Sequence, residues 1–170
     1  EFVAEVAFVR CSGDCHATTS KYKFEGTQSC AAANRFYSGS EFCTYGCLGF
    51  GDCAEICPNE AISVLDNVAS VDKTKCVACG LCVKTCPNSL IEIHKISSHV
   101  SVACSSTELG KVVKKICTAG CIGCKICEKK CPNNAIHVEN NLAKIDYALC
   151  TNCGECVSAC PVKVIKSCEK

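Results

Sequence analysis

The sequence is poor in the residues that usually fill a protein interior. It has no tryptophan, and aromatic residues make up only 6% of its 170 positions, so we expect a thin apolar core. It also lacks a run of about 18 apolar residues, the length needed to cross a bilayer, so no segment is predicted to span a membrane. A thin core leaves room for bound inorganic groups to contribute to folding.

The chain also lacks a strong charge of either sign and the usual signatures of catalysis. Its net charge is +1, which gives no reason to expect nucleic acid as a partner. It contains no phosphate-binding loop, no flavin fingerprint and no nucleophile–base arrangement, so we expect no catalytic site of its own. It begins Glu1-Phe2, without a methionine or a signal-peptide pattern, and we interpret it as a fragment of a longer protein.

Cysteine, in contrast, is abundant, with 22 residues. The stretches 121–132 and 150–161 both read C-x2-C-x2-C-x3-C-P, a run in which three cysteines bind one [4Fe–4S] cluster and the fourth binds its partner. A disulfide framework does not require this spacing, so we interpret the runs as cluster ligands in a reducing compartment. The expected sets are Cys121, Cys124, Cys127 and Cys160 for one cluster, and Cys150, Cys153, Cys156 and Cys131 for the other.

The same pattern occurs earlier in the chain at an offset of 74 residues without gaps, and each of the four prolines follows the last cysteine of a run. We therefore predict an α+β fold with two tandem bacterial 2[4Fe–4S] ferredoxin-like units that are stabilised by their clusters. The predicted boundaries are a cysteine-containing N-terminal segment at 1–29, a first unit at 30–95, a linker at 96–103 and a second unit at 104–170.

One position breaks the repeat, because Phe50 stands where Cys124 stands in the second unit. In the first unit one expected set is complete, namely Cys57, Cys76, Cys79 and Cys82. The other set, Cys47, Cys53 and Cys86, lacks a fourth thiolate. In the favoured interpretation Cys43 supplies it, and the chain binds four [4Fe–4S] clusters. In the alternative, the three cysteines hold a [3Fe–4S] cluster and a fifth cluster is bound by Cys11, Cys15, Cys30 and Cys43.

Apolar alternation and capping patterns predict the elements around the cysteines. Each unit is expected to contain a hairpin after its first run, a closing edge strand after its second run, and a helix before its first run. The predicted ranges are hairpins at 61–71 and 135–145, edge strands at 90–93 and 162–165, helices at 31–38 and 105–116, and a possible extra strand at 2–8.

Several other residues suggest less specific roles. We interpret Cys104 and Cys117 as packed free thiols or an adventitious disulfide, and Cys168 as a free cysteine. The four histidines, His16, His94, His99 and His137, are expected to be solvated or structural. A basic cluster near the third run is either a solvated face or a docking surface for an acidic electron donor; its residues are Lys111, Lys114, Lys115, Lys129 and Lys130.

The stretch 43–58 reads C-x3-C-x5-C-x3-C-P and resembles the B subunit of Rnf-type, ion-translocating ferredoxin:NAD⁺ oxidoreductase complexes of anaerobic bacteria. The upstream Cys11-x3-Cys15 and the block from Cys104 to Cys124 support this resemblance, which covers nearly the whole chain. It implies a subunit at the cytoplasmic side of the cell membrane that accepts low-potential electrons from soluble ferredoxin. It further implies relay to a flavin- and NAD-binding subunit, and membrane contact only through an anchor absent from this chain.

Three other functions are compatible with the residues alone. The chain could be a polyferredoxin subunit of another oxidoreductase, such as a hydrogenase, or a free-standing soluble electron carrier. A structural zinc protein is the non-redox alternative, which the two complete cluster runs disfavour.

Overall fold

Short strands alternate with helices of one or two turns in the computed structural model, which describes residues 4–167. Phe2 and Cys168 lie outside the described residues. No helix in this range is long and apolar enough to cross a membrane. The elements are, in chain order, β1 (Glu5–Val9), α1 (Cys30–Asn34), α2 (Asp52–Glu55), β2 (Ile62–Leu65), β3 (Val68–Val71), α3 (Leu81–Thr85), β4 (Ile91–Lys95), β5 (Val100–Val102), α4 (Gly110–Ile116), α5 (Ile126–Lys130), β6 (Ile136–Glu139), β7 (Leu142–Ile145), α6 (Glu155–Ala159) and β8 (Ile165–Ser167).

Both predicted hairpins are present, one in each unit. β2 pairs with β3 and β6 pairs with β7, in antiparallel register. Each is closed by two residues with positive φ, Asp66 and Asn67 in the first unit and Asn140 and Asn141 in the second. Such a turn has the twist that two-residue hairpin loops need, and Asp and Asn tolerate the left-handed conformation.

A second antiparallel pair of strands completes each unit. β1 pairs with β4, and β5 pairs with β8, so residues 100–102 of the predicted linker form a strand. The two pairs end in the same way, because Arg10 donates a backbone hydrogen bond to Leu90 (2.8 Å) and Ala103 donates one to Val164 (2.9 Å). The extra strand predicted at 2–8 is β1, at Glu5–Val9, and it is a structural part of the first unit.

The predicted helix before the third run begins later than expected, at Gly110 rather than near Ser105. Ser106 is buried, and its hydroxyl accepts a hydrogen bond from the backbone of Glu108 (3.3 Å). This local bond forms a turn that competes with a helix start. Gly110 then allows α4 to lie against the cysteine run, since a Cβ at this position would be 2.3 Å from the carbonyl oxygen of Ile122.

Each unit has its own small core, in which cysteine side chains take the place of large apolar residues. The first core surrounds Leu90 and Ile91, and the second surrounds Ile136 and Ile165. All four of these side chains are nearly inaccessible to solvent. The cysteines of the runs pack against the same residues, so the core and the candidate metal sites are continuous.

Residues 12–29 connect the two units. Thr118 donates a backbone hydrogen bond to Ala17 (2.9 Å), and Thr19 donates one to Ile116 (3.3 Å). On its other side the segment is bound to the first unit, because Phe42 donates to Thr19 (2.9 Å). The segment therefore crosses the junction between the units.

Candidate metal centres

Cysteines gather in groups of four around cavities of similar size. Three of these cavities lie within single units, and a fourth lies between the units. The space not filled by protein atoms measures about 410, 390, 350 and 340 Å³ in the four. All 21 cysteines of the described residues are unpaired thiols, so the disulfide considered for Cys104 and Cys117 is not formed.

Two of the predicted groups are brought together at equivalent positions of the two units. One cavity is lined by Cys57, Cys76, Cys79 and Cys82. Its counterpart is lined by Cys131, Cys150, Cys153 and Cys156. Cys57 and Cys131 both accept a backbone N–H four residues later in the chain, from Ala61 (3.4 Å) and Ala135 (3.3 Å).

The second unit also brings together the other predicted group, Cys121, Cys124, Cys127 and Cys160. Burial, together with the neighbouring sulfurs of the other three cysteines, raises the pKa of Cys127 to about 11. A free thiol in this place stays protonated at neutral pH, whereas a bound metal would take it as thiolate.

In the first unit, Cys30 occupies the place predicted for Cys43. One cavity is lined by Cys30, Cys47, Cys53 and Cys86. Burial, together with the sulfurs of the other three cysteines, raises the pKa of Cys53 to about 12. Four cysteines thus face this cavity, although Phe50 replaces the middle cysteine of the run.

The side chain of Asp52 holds Cys30 in this position. Its carboxylate accepts hydrogen bonds from the backbone of Cys30 (2.7 Å) and Ala31 (3.1 Å) and from the hydroxyl of Ser29 (2.9 Å). Burial alone would raise the pKa of Asp52, but these hydrogen bonds lower it below its usual value. A negative charge at the first turn of a helix is favourable, so Asp52 fixes α1 to α2.

One aromatic ring of the N-terminal segment packs against the position where the cysteine is missing. The ring of Phe24 lies 5.4 Å from that of Phe50 and 6.1 Å from that of Phe36, between centroids. The stretch of chain that leads into Cys30 therefore also packs on the residue that replaces the ligand.

The structure does not assemble the alternative site of Cys11, Cys15, Cys30 and Cys43. Cys11 and Cys43 line the cavity between the units, which Cys30 does not reach. Cys15 is exposed and lies beside His16 and Asp66 on the surface. Cys43, which was predicted to join Cys47, Cys53 and Cys86, lines that other cavity instead.

The spacing of the sulfurs fits cubane clusters better than zinc. Four thiolates bound to one zinc ion at about 2.3 Å lie about 3.8 Å from one another. Within residues 4–167, the one group of three or more Cys, His, Asp or Glu ligand atoms that all lie within 4.8 Å is Cys15, His16 and Asp66. No three cysteine sulfurs of this range are therefore close enough to share one zinc ion, whereas thiolates on the four irons of a cubane stand further apart.

Two protein-family profiles match the regions that contain these groups. Residues 120–164 match the "4Fe-4S dicluster domain", and residues 69–92 match the "4Fe-4S binding domain". The predicted fold, with ferredoxin-type domains in tandem, is confirmed, and multiple [4Fe–4S] clusters are supported.

Curated relatives are similar to nearly the whole chain. The B subunit of the Na(+)-translocating ferredoxin:NAD(+) oxidoreductase complex of Acetobacterium woodii is 42% identical over 96% of this chain and 49% of the relative. The corresponding subunit of the proton-translocating complex of Clostridium ljungdahlii is 44% identical over 95% of this chain and 58% of the relative. The B subunit of the ion-translocating oxidoreductase complex of Methanosarcina acetivorans is also 44% identical, over 95% of this chain and 62% of the relative.

Among solved structures, a match is found in the formate dehydrogenase–heterodisulfide reductase–formylmethanofuran dehydrogenase complex of Methanospirillum hungatei. It covers 69% of this chain and 50% of the matched chain at 22% identity, with a TM-score of 0.29. The curated relatives confirm the resemblance found in the sequence: over about 95% of its length the chain is similar to B subunits of Rnf-type ferredoxin:NAD⁺ oxidoreductase complexes. It spans about half to three fifths of the length of these relatives.

Proposed function

We propose that this chain is an iron–sulfur electron-transfer subunit with at least four [4Fe–4S] clusters, and that it relays low-potential electrons from soluble ferredoxin to a flavin- and NAD-binding subunit. The observation that carries the proposal is the repeated grouping of four cysteines in each of two ferredoxin-type units. The family relationship supports a place in a membrane-bound, ion-translocating complex, on the cytoplasmic side. Bound clusters supply one-electron redox centres, and the chain supplies their ligands and surroundings.

The proposed ligand sets follow the groups described above. They differ from the sequence prediction at one position, where Cys30 replaces Cys43. The sets are Cys30, Cys47, Cys53 and Cys86; Cys57, Cys76, Cys79 and Cys82; Cys121, Cys124, Cys127 and Cys160; and Cys131, Cys150, Cys153 and Cys156.

Backbone amides adjust the charge that these thiolates can carry. The N–H of Leu90 donates to the sulfur of Cys86 (3.4 Å), and the N–H of Ala7 in β1 donates to that of Cys76 (3.4 Å). Hydrogen bonds to cluster sulfurs favour the more negative, reduced state. Strand β1 thus tunes a metal site as well as completing the sheet.

Electron entry is proposed at the exposed edge of the second unit. Cys124 is exposed, and the basic cluster includes the neighbouring Lys129 and Lys130 on the last turn of α5. An acidic donor protein would be steered to this surface by charge, and a short path from the surface to the cluster is available through Cys124.

Exchange of ligands between Cys30 and position 50 tests the proposed sets. Cys30→Ala should remove one cluster per chain, because three thiolates then remain at that cavity. Adding Phe50→Cys to this variant should restore the cluster, because position 50 is equivalent to Cys124 in the second unit. Native mass spectrometry of anaerobically reconstituted protein counts the clusters directly.

A matched variant and an activity measurement complete the test. Cys43→Ala should leave the Cys30 cluster in place; loss of that cluster in Cys43→Ala, with Cys30→Ala unchanged, would restore the original assignment. The reconstituted chain should be reduced by reduced ferredoxin but should not reduce NAD⁺ unless a flavin-containing partner is added. Reduction of NAD⁺ by the flavin-free chain would contradict the relay function.

A further inference from the structure

The cavity between the two units is lined by four cysteines that none of the ligand sets above uses: Cys11, Cys43, Cys104 and Cys117. From its geometry we infer a further metal site, which binds an additional [4Fe–4S] cluster at the junction of the units. This inference rests on the proposed function, since it adds a fifth cluster to the proposed relay. The following contacts carry it.

The four sulfurs face one another across the cavity. A Cβ atom at Gly13 would lie 3.2 Å from the sulfur of Cys117 and 3.7 Å from that of Cys11, so both sulfurs lie beside the same backbone position. On the other side, Cys43 interacts electrostatically with both Cys104 and Cys117, whose proximity adds to the effect of burial in raising its pKa. Cys117 and Cys104 interact in the same way with each other.

The ligands come in two equivalent pairs, one from each unit. Cys43 and Cys117 are related by the 74-residue offset, and each precedes the first cysteine of its run by four residues. Cys11 lies two residues after β1 and Cys104 lies two residues after β5, and these two strands have equivalent partners, β4 and β8. Their sulfurs accept equivalent hydrogen bonds, from the N–H of Cys47 (3.4 Å) and of Cys121 (3.3 Å).

The size and lining of the cavity fit a cubane. The space between protein atoms there, which is partly open to solvent, measures about 390 Å³. It is similar to the 410, 350 and 340 Å³ of the three cavities assigned above to other clusters. Apolar side chains such as Val113 and Ile116 and the small residue Ala103 line it together with the four cysteines. The sulfurs of this site, like those of the other groups, are too far apart for a single zinc ion.

The position of the site gives the additional cluster a role. Cys47 and Cys121, which donate the hydrogen bonds, are themselves proposed ligands of the nearest cluster in each unit. Each of these clusters is thus connected to the junction site through one N–H···S hydrogen bond. The chain's residues therefore provide a continuous path between the two units, along which one electron at a time can pass without any change in the ligands.

The experiment is a count of clusters by native mass spectrometry on the whole chain, reconstituted anaerobically with iron and sulfide. The wild type should carry five [4Fe–4S] clusters and no zinc. Cys117→Ala should carry four, because Cys117 belongs to no other set, and acid-labile sulfide should fall by one fifth. Cys15→Ala, an exposed cysteine outside the cavities, is the matched control and should retain five.

The wild-type count decides without any variant, even where Cys117→Ala loses more than one cluster through unfolding. Four clusters in the wild type, with or without one zinc ion, would overturn the inference and leave the proposed function standing. Fewer than four would instead contradict the proposed function itself. A wild type with five clusters from which Cys117→Ala loses none would also overturn the assignment to this cavity.

Discussion

Replacing Asp52 should loosen one cluster selectively, because this carboxylate anchors the helix that carries Cys30. Asp52→Ala removes three hydrogen bonds, those donated by Ser29, Cys30 and Ala31 at 2.7 to 3.1 Å. A hydrogen bond to a charged group is worth about 1.5–3 kcal/mol when buried, and helix caps are worth about 0.5–2 kcal/mol. Since Asp52 is partly exposed and the freed N–H groups can bind water, we expect a total loss of about 2–3 kcal/mol.

The loss should be local because α1 has only five residues and cannot be stable without its anchor. A cost of about 2–3 kcal/mol raises the population of detached α1 roughly 30- to 150-fold. The cluster at Cys30 should then be extracted by an iron chelator faster by a similar factor, while the other clusters are extracted at the wild-type rate. Stopped-flow absorbance, combined with native mass spectrometry at early times, measures this difference.

The choice of pH and control makes this test specific. Hydrogen bonding lowers the pKa of folded Asp52, so its contribution to stability is fully present above the ordinary carboxyl pKa and is lost only as the pH falls through the lowered value. The full effect is therefore expected at pH 7. Glu55→Gln changes an exposed acid on the same helix and should leave extraction unchanged. Equal rates for Asp52→Ala and wild type would refute the anchoring argument.

Three further predictions concern the surface, the turns and the junction between the units. Lys114→Glu combined with Lys115→Glu should lower the rate of association with ferredoxin by roughly tenfold at low salt and much less at high salt. Stopped flow measures this rate, and a change that does not depend on salt would argue against docking at the basic cluster. Gly123→Ala should lower the thermal stability of the reconstituted chain more than Gly154→Ala. Both glycines have positive φ, but only at Gly123 would the added Cβ lie 2.9 Å from a carbonyl oxygen, that of Asn141. Equal losses of stability would show that the conformational strain of about 1 kcal/mol is the whole effect. Ser105→Ala removes a hydrogen bond to the carbonyl of Arg10 (3.1 Å) across the junction, and it should destabilise the chain by about 1 kcal/mol in chemical denaturation. Ser97→Ala, at an exposed serine, should not.

Spacing alone was sufficient to predict most of the fold, and the structure places the cysteines of three of the four predicted groups within the units together. The runs place cysteines on short loops and single helical turns, where local geometry determines which sulfurs meet. The hairpins were predicted for the same reason, because alternating residues and Asp-Asn or Asn-Asn turns act over a few positions. Strand β1 was only weakly indicated, since its partner β4 lies more than 80 residues away in the chain.

The structure places Cys43 at a different cavity from the group predicted for it, because residues that are close in sequence can be separated where a longer segment is inserted between the ligands. Cys43 is four residues from Cys47, but its sulfur faces the junction. Cys30 is further away in sequence, and Asp52 brings it back to the run. A signal was present: the second unit has Ile126 at the position of Asp52, so the acid occurs only where an additional helix must be held.

The ungapped repeat was also misleading for the residues before the runs. It pairs Cys30 with Cys104, whereas the hydrogen bonds to Cys47 and Cys121 pair Cys11 with Cys104. The distances along the chain are 36 and 17 residues, so the first unit has 19 additional residues between equivalent points. The segment between Cys11 and Cys47 thereby explains both departures from the repeat. It carries Cys30, which lies where the run has Phe50 instead of a cysteine, and its Gly13 and Thr18 line the junction cavity. Because Thr18 pairs with Cys117 of the other unit, the same residues that complete the first unit also fix its position against the second.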